Sequence, residues 1–182
     1  MGLFSSRKKQ TDITAPETVE VTAKSELPPE KEQIYEAMVQ NLLKESKTSM
    51  GFMGKSSTKA AVQMLHLNEI PRYAILTNVS LGSLSSGNDV RSKGFKNKTN
   101  GVLIITDERL LFAAALGTTP VSKEMKLEEI SVIDDSNVDS VILSVLRVED
   151  SETVMAIDGN KQVLSAFCAV LKQAVAKRRK RI

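Results

Sequence analysis

Two groups of cationic residues are the most chemically distinctive feature of this sequence. The first lies in the segment RSKGFKNKTNG and comprises Arg91, Lys93, Lys96 and Lys98. The second is the run KRRKR near the end of the sequence, which comprises Lys177, Arg178, Arg179, Lys180 and Arg181. Several ammonium and guanidinium groups can converge on one phosphate. Both groups are therefore candidate anion- or lipid-binding sites, and solubilising charge on a loop and a tail is the plainer alternative.

The charge distribution supports an anionic partner. The net charge is only +3, from 25 Lys and Arg against 22 Asp and Glu. Arg7, Lys8, Lys9 and residues 177–181 hold eight of the cations, which leaves 17 against 22 acidic residues in the body. Basic ends on a mildly acidic body are typical of contact with a membrane or a nucleic acid. Nucleic acid is the less favoured partner, because no aromatic stacking platform or base-reading motif accompanies the cations.

Residues that could carry catalysis are sparse. His66 is the only histidine and Cys168 the only cysteine, and they are far apart in the sequence. One His and one distant Cys do not make a metal site. There is no glycine-rich phosphate loop and no nucleophile elbow. We therefore expect no enzymatic activity, no metal and no cofactor, and we expect Cys168 to be a small buried hydrophobe on the last helix.

The sequence also bears on the compartment. Its longest apolar runs are far shorter than the ~20 residues that cross a bilayer. Residues 1–10 are basic but lack the apolar stretch of a secretory signal. The single cysteine cannot form an intramolecular disulfide, which suits a reducing compartment. We expect a cytoplasmic protein that is at most peripheral to the inner membrane surface.

The first part of the chain predicts an arm and two helices. Residues 1–28 are polar, with little apolar periodicity, and are typical of disorder. Pro28 and Pro29 favour a helix start, and Ile34, Met38 and Leu42 form its predicted apolar side. A second helix, capped by Ser56 or Ser57, would extend through Leu67. The pattern leaves open whether these helices pack on the following domain or form a separate arm.

From Glu69 onward the pattern changes to short strands. The stretch GVLIITDERLLFAA predicts a hairpin, with strands at 101–105 and 109–115 joined by Asp107 and Glu108. About seven strands precede a final helix, whose apolar residues recur at 3.6-residue spacing from Val163 to Ala174. That order predicts an antiparallel sheet, and we expect a half-open barrel closed at one end by the helix.

The hairpin residues resemble a known family. Gly101, the turn 106–109 and Phe112 resemble the G-x-L-x-x-T-x-x-R-L-x-F hairpin of bacterial pleckstrin-homology-like (PH-like) domains of the YokE type. Residues 127–130 (LEEI) resemble the strand entry that follows it. The resemblance covers roughly residues 67–177 and implies a PH-like barrel with a capping helix. The long basic connection before the hairpin and the helices at 29–67 depart from the family pattern.

These observations lead to one interpretation. The fold class is mainly β with α: a PH-like half-open antiparallel barrel capped by a C-terminal amphipathic helix and preceded by two helices. The predicted segments are 1–28 (arm), 29–67 (helices), 68–177 (PH-like domain) and 178–182 (basic tail). The expected function is a non-enzymatic binding module that contacts an anionic membrane lipid or a protein partner. The alternative is an adaptor that self-associates into a homo-oligomer through strand edges or the 29–67 helices.

Overall fold

The computed structural model describes residues 27–48, 52–84, 98–116, 119–140 and 144–181. These residues form three helices and seven strands, in the order α1 (Pro29–Glu45), α2 (Phe52–Val62), β1 (Pro71–Ser83), β2 (Thr99–Thr106), β3 (Arg109–Leu116), β4 (Thr119–Lys126), β5 (Val132–Asp134), β6 (Val145–Glu149), β7 (Thr153–Asp158) and α3 (Lys161–Arg179). Residues 1–26 of the predicted arm (1–28) lie outside the described residues, as do Arg91, Lys93 and Lys96. None of the described helices is long and apolar enough to span a bilayer.

The strands form one antiparallel sheet in the order β4-β3-β2-β1-β7-β6-β5. β1 is the shared strand: residues 71–79 pair with β2, and residues 78–83 pair with β7. The strands curve around one apolar core, to which α3 contributes Leu164, Phe167 and Leu171. β4 and β5 form the two open edges of this sheet. The predicted fold class is confirmed: the protein is mainly β with α, with an open antiparallel sheet capped by a C-terminal helix and preceded by two helices.

The predicted hairpin is also confirmed. β2 and β3 pair with Val102 opposite Ala113 and Ile105 opposite Leu110, and Asp107 and Glu108 connect them. The Thr106 hydroxyl accepts hydrogen bonds from the backbone N–H groups of Glu108 (3.1 Å) and Arg109 (2.9 Å). A threonine at this position therefore closes the turn without the Asn-Gly pair that tighter hairpins prefer.

Both faces of this hairpin are buried, which explains why its sequence is almost continuously apolar. Leu103, Ile105 and Phe112 face the barrel core. Val102 and Ile104 face the opposite way, into a second core beneath α1 and α2. The two helices therefore pack on the domain, a question that the sequence pattern left open.

The buried side of α1 differs from the predicted one. Tyr35, Val39 and Leu43 are buried against the sheet, whereas Ile34 is 59% exposed. The predicted side and the observed buried side of α1 are offset by one residue in the sequence. The hydrophobic pattern of this helix is weak and fits both sides. The predicted start of α2 was also wrong. α2 begins at Phe52, so Ser56 and Ser57 lie inside the helix and do not cap its N-terminus. Ser57 instead accepts a hydrogen bond from the Ala115 backbone N–H (3.2 Å) on β3.

Gly101 permits the close packing of β2 against β3. A Cβ at this position would lie 2.5 Å from the Ala113 carbonyl oxygen and 2.7 Å from Phe112 Cε2. Because one of these atoms belongs to the backbone of a central strand, a methyl group cannot be accommodated by a side-chain rotation. The glycine that begins the hairpin motif is thus a steric requirement.

We expect Gly101→Ala to lower the free energy of unfolding by about 3 kcal/mol, because overpacking a central strand forces the backbone apart. Gly159→Ala is the matched control, since the nearest atom to its Cβ would be Leu164 Cγ at 3.3 Å, a side-chain contact that needs a shift of only a few tenths of an ångström. Urea unfolding of both variants measures the difference. Equal destabilisation by the two substitutions would contradict this account of Gly101.

Candidate anion-binding site

A buried ion pair organises one end of the molecule, which we call the hairpin end because it contains the β2–β3 turn. Glu69, in the connection between α2 and β1, is fully buried and accepts hydrogen bonds from Arg109 Nε (2.9 Å) and Nη2 (2.7 Å). It also accepts from the Thr106 hydroxyl (2.7 Å) and the His66 backbone N–H (2.9 Å). Arg109 further donates to the Met64 carbonyl (2.6 Å). The pair thus ties the α2–β1 connection to the hairpin.

The protonation of Glu69 reflects this environment. Burial raises the pKa of its carboxyl group, but hydrogen bonds from Arg109, the His66 N–H and Thr106 outweigh burial, so its pKa lies below the ordinary value. The carboxylate is therefore ionised wherever the fold is intact near neutral pH. Its favourable contribution to stability is present above the unfolded-state pKa and is lost as the pH falls through the lower folded-state pKa.

His66, Glu69 and Glu108 bring three possible metal ligands together, with ligand atoms within 4.8 Å of one another. Both oxygens of Glu69 are already occupied, however, by Arg109 together with Thr106 or the His66 N–H. A guanidinium this close would also repel a cation. This cluster is thus better suited to holding the connection than to binding a metal.

Next to this pair, four elements surround a cleft of about 240 Å³. β1 contributes Arg72 and the β2–β3 turn contributes Asp107. The last turns of α3 and the residues after it contribute Lys177, Arg178 and Arg181. Leu127, Val170 and Ala174 form part of the apolar floor. The charged groups of this basic cleft are thus four cations and one carboxylate.

A β-bulge places Arg72 at the cleft. Pro71 pairs with Thr106 and Tyr73 pairs with Ile105, so Arg72 is the extra residue between them. A bulge changes the direction of a side chain, and bulges often lie beside functional sites. Arg72 is not among the candidate residues predicted from the sequence; its only signal there is a single cation after Pro71 at the start of an apolar strand.

The structure separates the cations of the KRRKR run into two groups. Arg178 Nε lies 3.2 Å from Glu128 Oε2, and Arg179 donates to the Ile130 carbonyl, so both residues fasten α3 to the segment after β4. Lys177, Lys180 and Arg181 are exposed and, among the described residues, have no acidic partner. The helix itself continues through Arg179, two residues into the segment predicted as a tail.

The structure does not bring Lys98 to this cleft. Lys98 forms an ion pair with buried Asp158, which lies just before the first residue of α3. The basic cleft lies at the other end of α3, and a helix of 19 residues is roughly 28 Å long. Lys98 and the cleft are therefore separate features.

Cys168 is buried on α3, as predicted from the apolar spacing. Burial raises the pKa of its thiol, and its Sγ lies 3.6 Å from Asp135 Oδ2. Both features keep the thiol protonated, which is the opposite of an activated nucleophile.

The sequence matches no protein-family model and no curated protein. Several solved structures are similar to parts of the chain. The Vps36 N-terminal PH domain has a TM-score of 0.48 at 14% identity, over 66% of this chain and 89% of that one. The linker-DH/PH domains of p115-RhoGEF have a TM-score of 0.46 at 10% identity, over 81% of this chain and 40% of that one. The C-terminal domain of an unknown protein from Leishmania infantum has a TM-score of 0.40 at 18% identity, over 59% and 85%. At these scores and identities the similarities carry no argument.

Glu69→Gln tests the organising pair. We expect it to lower the free energy of unfolding at neutral pH by about 3 kcal/mol, because it leaves the buried Arg109 with only the half-exposed Glu124 as a counterion. The loss of stability as the pH falls below the ordinary pKa of a glutamate should also become shallower, because residue 69 no longer carries a carboxylate with a lowered pKa. Urea unfolding at several pH values measures both effects.

Glu124→Gln is the control for this substitution. Glu124 also contacts Arg109, but its side chain is 49% exposed, so we expect a loss of at most about 1 kcal/mol. An equal loss in both variants, or an unchanged pH dependence in Glu69→Gln, would show that the buried pair does not organise this end.

Proposed function

We propose that the protein is a non-enzymatic PH-like binding module that contacts an anionic membrane surface through the basic cleft. The observation that carries the proposal is the convergence of Arg72, Lys177 and Arg181, which come from a strand bulge and a helix terminus on one cleft. Among the described residues, none of the three is neutralised by an acidic side chain.

Electrostatics supports this surface as a contact for lipid headgroups. Each Lys or Arg near an anionic bilayer contributes about 1 kcal/mol. Arginine can also form two parallel hydrogen bonds with a phosphate. The apolar floor at Leu127, Val170 and Ala174 lowers the local dielectric constant, which strengthens both effects. The cleft thus suits a phosphate-bearing group better than a neutral ligand.

The remaining sequence predictions belong to this proposal. We place the module at the cytoplasmic face of the membrane, and we keep the bacterial YokE type as its family on the strength of the hairpin residues. An acidic protein partner is the alternative occupant of the cleft. Self-association through α1 and α2 has less support, because their apolar sides are already buried against the sheet. Nucleic acid remains the least favoured partner.

The predicted loop site is a separate hypothesis. Lys98 and the neighbouring Arg91, Lys93 and Lys96 belong to the connection between β1 and β2, whereas the cleft lies at the hairpin end. A flat bilayer could touch both only with α3 lying parallel to it. Separate substitutions at the two places therefore distinguish the two hypotheses.

The combined variant Arg72→Gln/Lys177→Gln/Arg181→Gln tests the cleft. With three charges at about 1 kcal/mol each, we expect vesicle affinity to fall by roughly 100-fold. Co-sedimentation with phosphatidylcholine vesicles containing one-third phosphatidylglycerol measures the affinity. Binding of the unaltered protein should weaken as salt is raised, because exposed charges are screened.

Two matched variants control for net charge. Lys44→Gln/Lys55→Gln/Lys59→Gln removes three exposed cations from α1 and α2 and should bind nearly as well as the unaltered protein. Lys93→Gln/Lys96→Gln/Lys98→Gln tests the loop. If the loop variant loses binding and the cleft variant keeps it, the cleft is not the contact and the loop is.

A further inference from the structure

Two large apolar side chains are exposed in the connection that precedes Arg72. Leu67 is 47% exposed and Ile70 is 39% exposed, and both lie in the short connection between α2 and β1. Exposed single apolar residues are common, so exposure alone carries little weight. These two are distinguished by how they are held and by what lies next to them.

The backbone that carries them is fixed at several points. The Ile70 N–H donates to Asp107 Oδ1 (2.8 Å), and the Asp107 N–H donates to the Ile70 carbonyl (3.2 Å). The Tyr35 hydroxyl donates to the Leu67 carbonyl (2.8 Å), and buried Glu69 lies between the two apolar residues. Leu67 and Ile70 are therefore exposed on a connection whose backbone is held by several hydrogen bonds.

The contacts of Ile70 place this connection next to the cations. Asp107 is hydrogen-bonded to Ile70 and also lines the cleft with Lys177 and Arg181. Arg72 follows Ile70 by two residues and faces the same cleft. The hairpin end therefore presents alkyl side chains adjoining a group of unneutralised cations.

The carboxylates of Asp107 and Glu108 lie at this end and do not cancel the charge of the cleft. Asp107 Oδ1 accepts a hydrogen bond from the Ile70 N–H, and Glu108 Oε2 lies 3.4 Å from His66 Nδ1, in the α2–β1 connection. Both carboxylates keep their negative charge, but Arg72, Lys177 and Arg181 outnumber them, so the hairpin end is positive overall.

We propose that Leu67 and Ile70 enter the nonpolar layer of a bilayer while the cleft cations contact its anionic headgroups. This inference rests on the proposed function and adds the orientation of the bound protein. Apolar side chains on a peripheral protein reach about 5–10 Å into the boundary between headgroups and acyl chains, with cations remaining at the headgroups. The hairpin end faces the membrane, and the end of β1 at Ser83 faces away.

A lipid surface fits these observations better than a protein groove. The cations come from separate elements and adjoin the alkyl groups. Among the described residues, Lys180 after α3 is a further exposed cation without an acidic partner. A surface that is anionic on the outside and nonpolar beneath matches that arrangement over its whole extent.

Site-specific fluorescence tests the insertion. In a Cys168→Ala background, Leu67→Cys or Ile70→Cys is labelled with an environment-sensitive fluorophore and mixed with vesicles of one-third phosphatidylglycerol in phosphatidylcholine. We expect the emission to shift to the blue and to be quenched by lipids carrying a spin label in their acyl chains. Leu84→Cys is the control, because Leu84 is 42% exposed and follows the far end of β1, roughly 40 Å away along the strand.

An affinity measurement accompanies the spectra. Leu67→Ser/Ile70→Ser should lower vesicle affinity by about tenfold, because two alkyl groups that are partly buried in the bound bilayer lose that nonpolar contact. Leu81→Ser/Leu84→Ser should leave the affinity unchanged. Thermal unfolding of both variants checks that the fold is retained.

The outcomes separate the two proposals. Co-sedimentation without a blue shift at positions 67 and 70 would leave the cleft proposal standing and overturn the insertion. A shift at position 84 in place of these two would overturn the orientation. An absence of co-sedimentation in every sample would overturn both proposals.

Discussion

The buried ion pair between Glu69 and Arg109 is the constraint on which the hairpin end depends. Two charges removed from water are tolerated only when nearly all of their hydrogen-bonding capacity is used. Here the carboxylate accepts from Arg109, Thr106 and the His66 N–H, while the guanidinium also contacts Glu124 and the Met64 carbonyl. Because these partners belong to the α2–β1 connection, β2, β3 and β4, one interaction fixes several elements relative to one another. The position of Ile70, and hence of Arg72, follows from it.

The second constraint is that the β2–β3 hairpin is buried on both faces. An antiparallel strand with one wet face alternates apolar and polar residues, whereas Gly101–Ala115 is apolar almost throughout apart from its turn. The barrel core accounts for one face, with Leu103 and Phe112, and α1 and α2 cover the other, with Val102 and Ile104. The helices are therefore part of the folded unit, and their removal would expose a continuous apolar face. This also explains why the apolar sides of these helices are unavailable to a partner.

The sequence predicted those features that depend on local periodicity and failed where long-range packing decides. The hairpin, the seven strands and α3 follow from alternation and 3.6-residue spacing over short stretches, and the structure has them. The prediction of the buried side of α1 was wrong, since Tyr35 faces the sheet and Ile34 does not. The two sides are adjacent on the helix, and only the position of the sheet decides which of them is buried. Glu69 and Arg72 were missed because the partner of Glu69 is 40 residues away and Arg72 depends on a bulge in the β1–β2 register. The separation of Lys98 from the last turns of α3 likewise depends on where a 19-residue helix begins and ends on the barrel.

The cations of the KRRKR run have two different roles in the structure, so the number of charges in a sequence segment does not by itself identify a binding surface. Cations suit the C-terminal end of a helix because they oppose its negative dipole. Arg178 and Arg179 in addition fasten the end of α3 to Glu128 and the Ile130 carbonyl, so their charges are largely committed within the fold. That attachment holds the last helical turn beside the β2–β3 turn, and it is what brings Lys177 and Arg181 opposite Arg72. The residues that stabilise the helix end thus position the ones left to meet an anionic partner, and the cleft depends on both groups.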